Sequence, residues 1–217
     1  MISNRSGGLC AAAFAVLTMA ALFTQAPPGG TYSARDVSHF TSSGHRPLVF
    51  AAIYLSGAAS LALLGLVAYL HARIVGPVRK LLVLGTGIIA AVSMPIGTGI
   101  AGGVPIALMV GGGKPIDPRL TYMMVEAGAV VLLGVAMTMV GVMLFAAAPA
   151  MPGWTKAAPY VAGVAGVLSF AWFPFFLVAL WGVVVGASLA MKADDSADHA
   201  QAPAQNRAAS AAPVASV

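Results

Sequence analysis

Long apolar runs with very few charges, separated by short polar or basic turns, fill most of the 217 residues. The first extends from Gly8 to Gln25, the second from Pro47 to Leu70, and the third begins at Leu81. A fourth covers Leu120–Ala147, and a 39-residue stretch from Trp154 to Lys192 ends the series. A helix rises about 1.5 Å per residue, so about 20 apolar residues cross the roughly 30 Å hydrocarbon core of a bilayer. The last stretch is far longer than one crossing needs. Phe170-Ala171-Trp172-Phe173-Pro174 interrupts it with a proline suited to a helix restart and aromatics suited to an interface. The pattern therefore predicts an all-α, polytopic transmembrane bundle of six helices, approximately 8–25, 47–70, 81–103, 120–147, 156–170 and 174–191. The fifth is short and calls for a locally thinned bilayer. Five helices, with the last two fused, is the alternative.

The third run is irregular, with Pro95, Gly97, Gly99, Gly102, Gly103 and Pro105. Its continuous helix is expected to end near Gly103, leaving a Gly-rich loop through Gly113. Before the second run, Ser33-Ala34-Arg35-Asp36 forms a capping box, and Val37 and Phe40 follow three apart. This predicts a short helix lying on the membrane surface. Residues 193–217 are Ala, Pro, Ser and Gln with a few charges, and cannot bury enough apolar surface to order themselves. They read as a disordered cytoplasmic tail behind a 1–192 bundle.

Basic residues set the expected orientation. With six helices and the N-terminus inside, Arg5, Arg73, Arg79, Lys80, Lys156, Lys192 and Arg207 are cytoplasmic, seven against the four outside at Arg35, Arg46, Lys114 and Arg119. Five helices reverse the bias to five against six. The chain is thus expected in the cell membrane with both termini in the cytoplasm. Arg5 and the run after it also resemble a secretory signal, with Thr24-Gln25-Ala26 as a cleavage site. Pro27 and Pro28 disfavour that cut, so the run is read as an uncleaved first helix.

Composition agrees: 59% of the residues are apolar, 8% are charged, and the mean hydropathy is +0.92. A formal charge of +5 would raise nucleic acid as a partner for a soluble protein. Here the basic residues stand at the ends of apolar runs without interleaved aromatics, so lipid headgroups are the expected partners and nucleic acid is not. The single cysteine, Cys10, permits neither an intrachain disulfide nor a cysteine metal site.

In lipid, helices associate where small residues let backbones approach. Gly182-x-x-x-Gly186, continued to Ala190, and Gly99-x-x-x-Gly103 are the clearest such spacings, with Ser56-x-x-x-Ser60 and Ala162-x-x-x-Gly166 beside them. The methionines of the fourth run read as flexible gap fillers rather than metal ligands.

One charge interrupts the fourth run. Glu126 lies about six residues inside it, and an ionisable group there is a functional candidate by default. Arg119, Tyr122 and Glu126 share one helical face, and Tyr54 and Ser56, with Thr98, are expected at similar depth. The hypothesis is a ligand-binding polar pocket opening outward, with Glu126 paired to Arg119 or Lys114. The competing reading makes Glu126 a headgroup-level anchor. His39 and His45 lack a recognised metal spacing and read as interfacial.

Ala34-Arg35-Asp36-Val37-Ser38-His39-Phe40, His71-Ala72-Arg73 and Met151-Pro152-Gly153-Trp154 together resemble a family of six-helix bacterial membrane proteins catalogued as a domain of unknown function. The resemblance spans about residues 30–192. Gly153 stands where that family usually has Arg, and the second Trp that often follows is missing. It implies the six-helix plan and carries no activity, cofactor or catalytic residue. No phosphate loop, Ser-His-Asp grouping or His-Glu-x-x-His motif is present, so neither catalysis nor a cofactor is expected. The function expected is that of an accessory or assembly-partner protein, bound to another membrane protein or to a second copy. The alternative is a small-solute transporter or channel using the pocket around Glu126.

Overall fold

The structure, a computed structural model, describes residues 3–28, 33–112, 117–151, 156–171 and 173–191, without the side chain of Phe170. Lys114, Trp154, Trp172, Lys192 and the 193–217 tail lie outside the described residues, as does most of the Met151–Trp154 turn.

The described residues are helical almost throughout. Helix α1 (Asn4–Gln25) starts at Ser3, whose hydroxyl accepts from the Ser6 amide. Helix α2 (Ala34–Phe40) is capped by Ser33, which accepts from Asp36 N–H at 3.1 Å while donating to the Asp36 carboxylate at 2.7 Å. Helix α3 (Arg46–Arg73) has Pro47 in its first turn, where no amide donor is needed. The tight turn to helix α4 (Pro77–Ala101) passes through Gly76 at φ 97°, a conformation that disfavours any side chain.

Two boundaries differ from expectation. Helix α4 ends at Ala101, and a separate helix α5 (Gly103–Gly111) occupies the segment expected as a Gly-rich loop. Gly102 is the joint: its N–H donates to Thr98 O, and its carbonyl accepts from Ile106 N–H. Pro105 then falls in the first turn of α5, where its missing amide costs nothing. The fourth run is a single rod with an internal irregularity: helix α6 (Pro118–Ala129), a π-helical stretch (Val130–Ala136) and helix α7 (Met137–Ala147). Helix α8 spans only Ala157–Val167, about 16 Å, and a 3₁₀ turn at Ser169–Ala171 leads to helix α9 (Phe175–Met191).

The segments 4–25, 46–73, 77–101 and 118–150 are each long and apolar enough to cross a membrane, while α8 and α9 are shorter apolar helices. The helices pack in chain order. α1 lies against α3, α3 against α4, α4 against the α6–α7 rod, α7 against α8, and α9 returns beside both α8 and α1. Neighbours run antiparallel, since Ser56 meets Thr98 at one end of the α3–α4 pair and Val67 meets Gly87 toward the other. The shared core holds Phe14, Leu63, Leu66, Met94, Met137 and Met143.

Glycine backbones make the closest crossings. A Cβ on Gly186 would stand 2.7 Å from Gly8 O, and one on Gly182 2.9 Å from Ala11 O, so both glycines seat α9 on α1. A Cβ on Gly141 would stand 2.6 Å from Gly163 O, which seats α7 on α8. Helix α4 departs from the expected seam. Gly99 has open space where a Cβ would project, and Gly103 meets only the Met124 methyl at 2.9 Å. Gly97 instead faces Gly128 O and Leu132 N, each 2.9 Å from a Cβ built there. Two residues turn a helix by about 200°, so Gly97 and Gly99 point to opposite sides and only one can line a contact.

Candidate functional site

Helix α1 stops where Ala26 takes the left-handed conformation (φ 39°) ahead of Pro27 and Pro28. The last carbonyls of any helix lack intrahelical donors, and in an apolar setting each needs one from elsewhere. His45, the residue before α3, supplies it: its Nε2 lies 2.9 Å from Gln25 O. A carbonyl only accepts, so Nε2 carries the proton. His45 is buried, and that nitrogen is committed to the α1 end.

The Gln25 side chain continues the network. Its Nε2 donates to Thr98 O at 3.0 Å, and the Thr98 hydroxyl has Ser56 Oγ at 3.0 Å and Met94 O at 2.9 Å as acceptors. Ser60 donates to Ser56 O at 3.0 Å. Gln25, His45, Ser56 and Thr98 are all buried, so the chain of bonds ties α1, α3 and α4 together inside the bundle. Burying such groups unpaired would cost roughly 1–3 kcal/mol each. Arg46 braces the same end, donating from Nε to Thr41 O at 2.9 Å and from Nη1 to Leu108 O at 3.1 Å.

Beside this network Leu22, Gln25, Gly97, Thr98, Gly128 and Leu132 line a cleft of about 20 Å³, room for one water. The π-helical stretch contributes Leu132 and Leu133 to its walls, and the helix-interior Pro95 lies nearby on α4. Pro95 removes the donor to the Ala91 carbonyl one turn before Thr98, and the π-helical stretch begins two residues after Gly128. Thr121 Oγ1, also buried on α6, has no acceptor or donor of its own.

The residues expected to form an outward pocket are divided by this arrangement. Ser56 is in the buried network, but Tyr54 is 68% exposed and packs edge-on against Phe50, ring centroids 5.1 Å apart. Glu126 and Arg119 are exposed on α6, and Tyr122 between them is half-buried. Among the described residues no side-chain hydrogen bond or ion pair reaches Glu126, and the Arg119 backbone amide is bonded to the helix cap Asp117 at 2.9 Å. The pairing of Glu126 with Arg119 is thus not formed; both side chains stand on the outer surface of the rod, and Lys114 lies outside the described residues. Val125 packs with Phe40 of α2 and Val49 of the first turn of α3. That contact places Glu126, next to Val125, near the short helix α2.

Gln25 and His45 are the participants that sequence reasoning passed over. Gln25 reads as part of a cleavage-like Thr-Gln-Ala, and His45 as an interfacial histidine. A polar amide in the final turn of an apolar helix, before Ala-Pro-Pro, was the available signal. His39 is exposed, with its ring 5.3 Å from that of His45. Set beside known proteins, the chain matches no family model, and no curated protein or solved structure matches it at a significant level.

Proposed function

We propose that this is a multi-pass protein of the cell membrane, with six crossings and both termini in the cytoplasm, that acts as an accessory or assembly partner. Six crossings are supported by the return of α9 along α8 and α1 after the 3₁₀ turn at Ser169–Ala171. One prediction follows for topology: a reporter fused after Val217 is active only in the cytoplasm, and activity confined to the external side overturns the layout.

The observation that carries the assembly reading is the outward placement of Glu126. The buried polar groups of α1, α3 and α4 bond to one another, while the charge in the fourth run is turned to the perimeter, beside exposed Leu120, Met123 and Val130. A carboxylate there gains most when another membrane protein, or a second copy, brings a basic or hydrogen-bonding side chain to it. In mild detergent the wild-type chain is expected to co-purify with a stoichiometric partner, and Glu126→Gln to lose at least about tenfold in recovery, the equivalent of about 1.4 kcal/mol. Unchanged recovery, or a lone bundle in both preparations, overturns the reading.

The cleft favours a second reading, small-solute transport. Helix breaks beside polar groups are the usual setting of transporter sites, and the π-helical stretch, Gln25 and Thr98 meet at one place, with Pro95 one turn before Thr98. On this reading the solute would pass the Gln25–Thr98 cleft rather than Glu126. A lone bundle with bound solute would support it.

A further inference from the structure

Helices α8 and α9 enclose a groove of about 370 Å³ on the outside of the bundle, lined wholly by apolar residues, among them Ala157, Ala158, Ala162, Leu180, Trp181 and Val185. At about 30 Å³ for a water-sized group, it has room for roughly a dozen such groups in a row. Three features at this groove point to one occupant. Lys156 is exposed at the start of α8, immediately before the groove residues Ala157 and Ala158. Among the described residues the start of α8 has no side-chain cap and no acidic residue, so no carboxylate there opposes an anion. Trp181, only 5% exposed, lines the groove and gives it an aromatic wall suited to an acyl chain.

The spacing suits a phospholipid. α9 runs antiparallel to α8, because Phe175 and Gly166 both lie at Met137. Val185 therefore sits near the Ala157 end, and Trp181 one turn, about 6 Å, farther in. A phosphate at Lys156 places its glycerol esters about one turn deeper, at the depth of Trp181, with an acyl chain continuing along the groove. The shortness of α8 adds to the argument, since 11 residues leave part of the hydrocarbon thickness unfilled on this side. We propose that the α8–α9 groove binds one anionic phospholipid of the cytoplasmic leaflet, headgroup at Lys156 and chain against Trp181. The site takes its leaflet from the topology above but depends on neither Glu126 nor a protein partner.

The test uses the full chain with Trp181 as its remaining tryptophan (Trp154→Phe, Trp172→Phe), reconstituted into phosphatidylcholine vesicles. These carry a minority of lipid with brominated chains, either phosphatidylglycerol or phosphatidylcholine. Brominated phosphatidylglycerol is expected to compete for the site next to Trp181 about fivefold better than brominated phosphatidylcholine, the weight of one basic residue at a membrane surface. Lys156→Gln, an exposed substitution, should erase that preference, and Ala162→Phe should lower quenching by both lipids. Equal quenching by the two lipids overturns the proposal. So does a preference that survives Lys156→Gln, or the absence of quenching by either, which would mean that a protein helix covers the groove. Native mass spectrometry of the unsubstituted chain from vesicles of the two unbrominated lipids reads the same preference without the tryptophan changes. Retention of both lipids in the proportion supplied would overturn the proposal too.

Discussion

Gly97→Val should destabilise the bundle by about 2–3 kcal/mol, while Gly99→Val, two residues on, should stay within about 1 kcal/mol of wild type. The difference is steric. A Cβ on Gly97 would come within 2.9 Å of Gly128 O and Leu132 N, both backbone atoms that cannot rotate away. Relief requires the α6–α7 rod to move off α4, which opens the neighbouring cleft and loosens the contacts beyond it. At Gly99 no atom lies within 4 Å of the projected Cβ, and valine suits an exposed helix slightly better than glycine. Titration from mild detergent into SDS, followed by circular dichroism, measures both. Equal losses at the two positions would restore the Gly99–Gly103 seam expected from spacing and remove the Gly97–Gly128 crossing.

The second large effect concerns the end of α1. His45→Leu should cost about 2 kcal/mol, because it preserves apolar volume yet strips the Gln25 carbonyl of its donor in a buried setting. His39→Leu is the matched control: the ring is exposed, only 5.3 Å away, and the change should fall within about 0.5 kcal/mol. Hydrogen exchange of the last turn of α1 should speed up in the His45 variant alone. An intact turn with unaltered stability would mean that Gln25 O finds another donor and that His45 merely fills space.

The features readable from sequence are those set by near neighbours. Ser33 and Asp36 cap α2 because the capping geometry is local, and Pro47 opens α3 for the same reason. The apolar run lengths likewise mark the long helices to within a few residues. What escaped depends on which face meets which. Arg119 and Glu126 do share a face, but periodicity does not say whether that face looks inward, and packing of Val125 on Phe40 and Val49 turns it out. The spacing of Gly99 and Gly103 is as good as that of Gly182 and Gly186, yet only the second pair meets a neighbouring helix backbone. The π-helical stretch has no compositional mark, since Val-Val-Leu-Leu-Gly-Val-Ala would serve equally in an α-helix. The Gln25–Thr98 bond joins residues 73 apart, a pairing that no local pattern encodes.

The seating of α9 against α1 has a consequence for biogenesis. The flank of α1 that carries Gly8, Ala11 and Ala15 is completed by α9, the last of the described helices. At about 5–20 residues per second, some ten to thirty seconds of translation separate the two. During that interval the nascent first helix keeps this flank open to other partners. Docking of α9 on α1 is therefore a late event, and quality control of this protein can act on α1 before that contact forms.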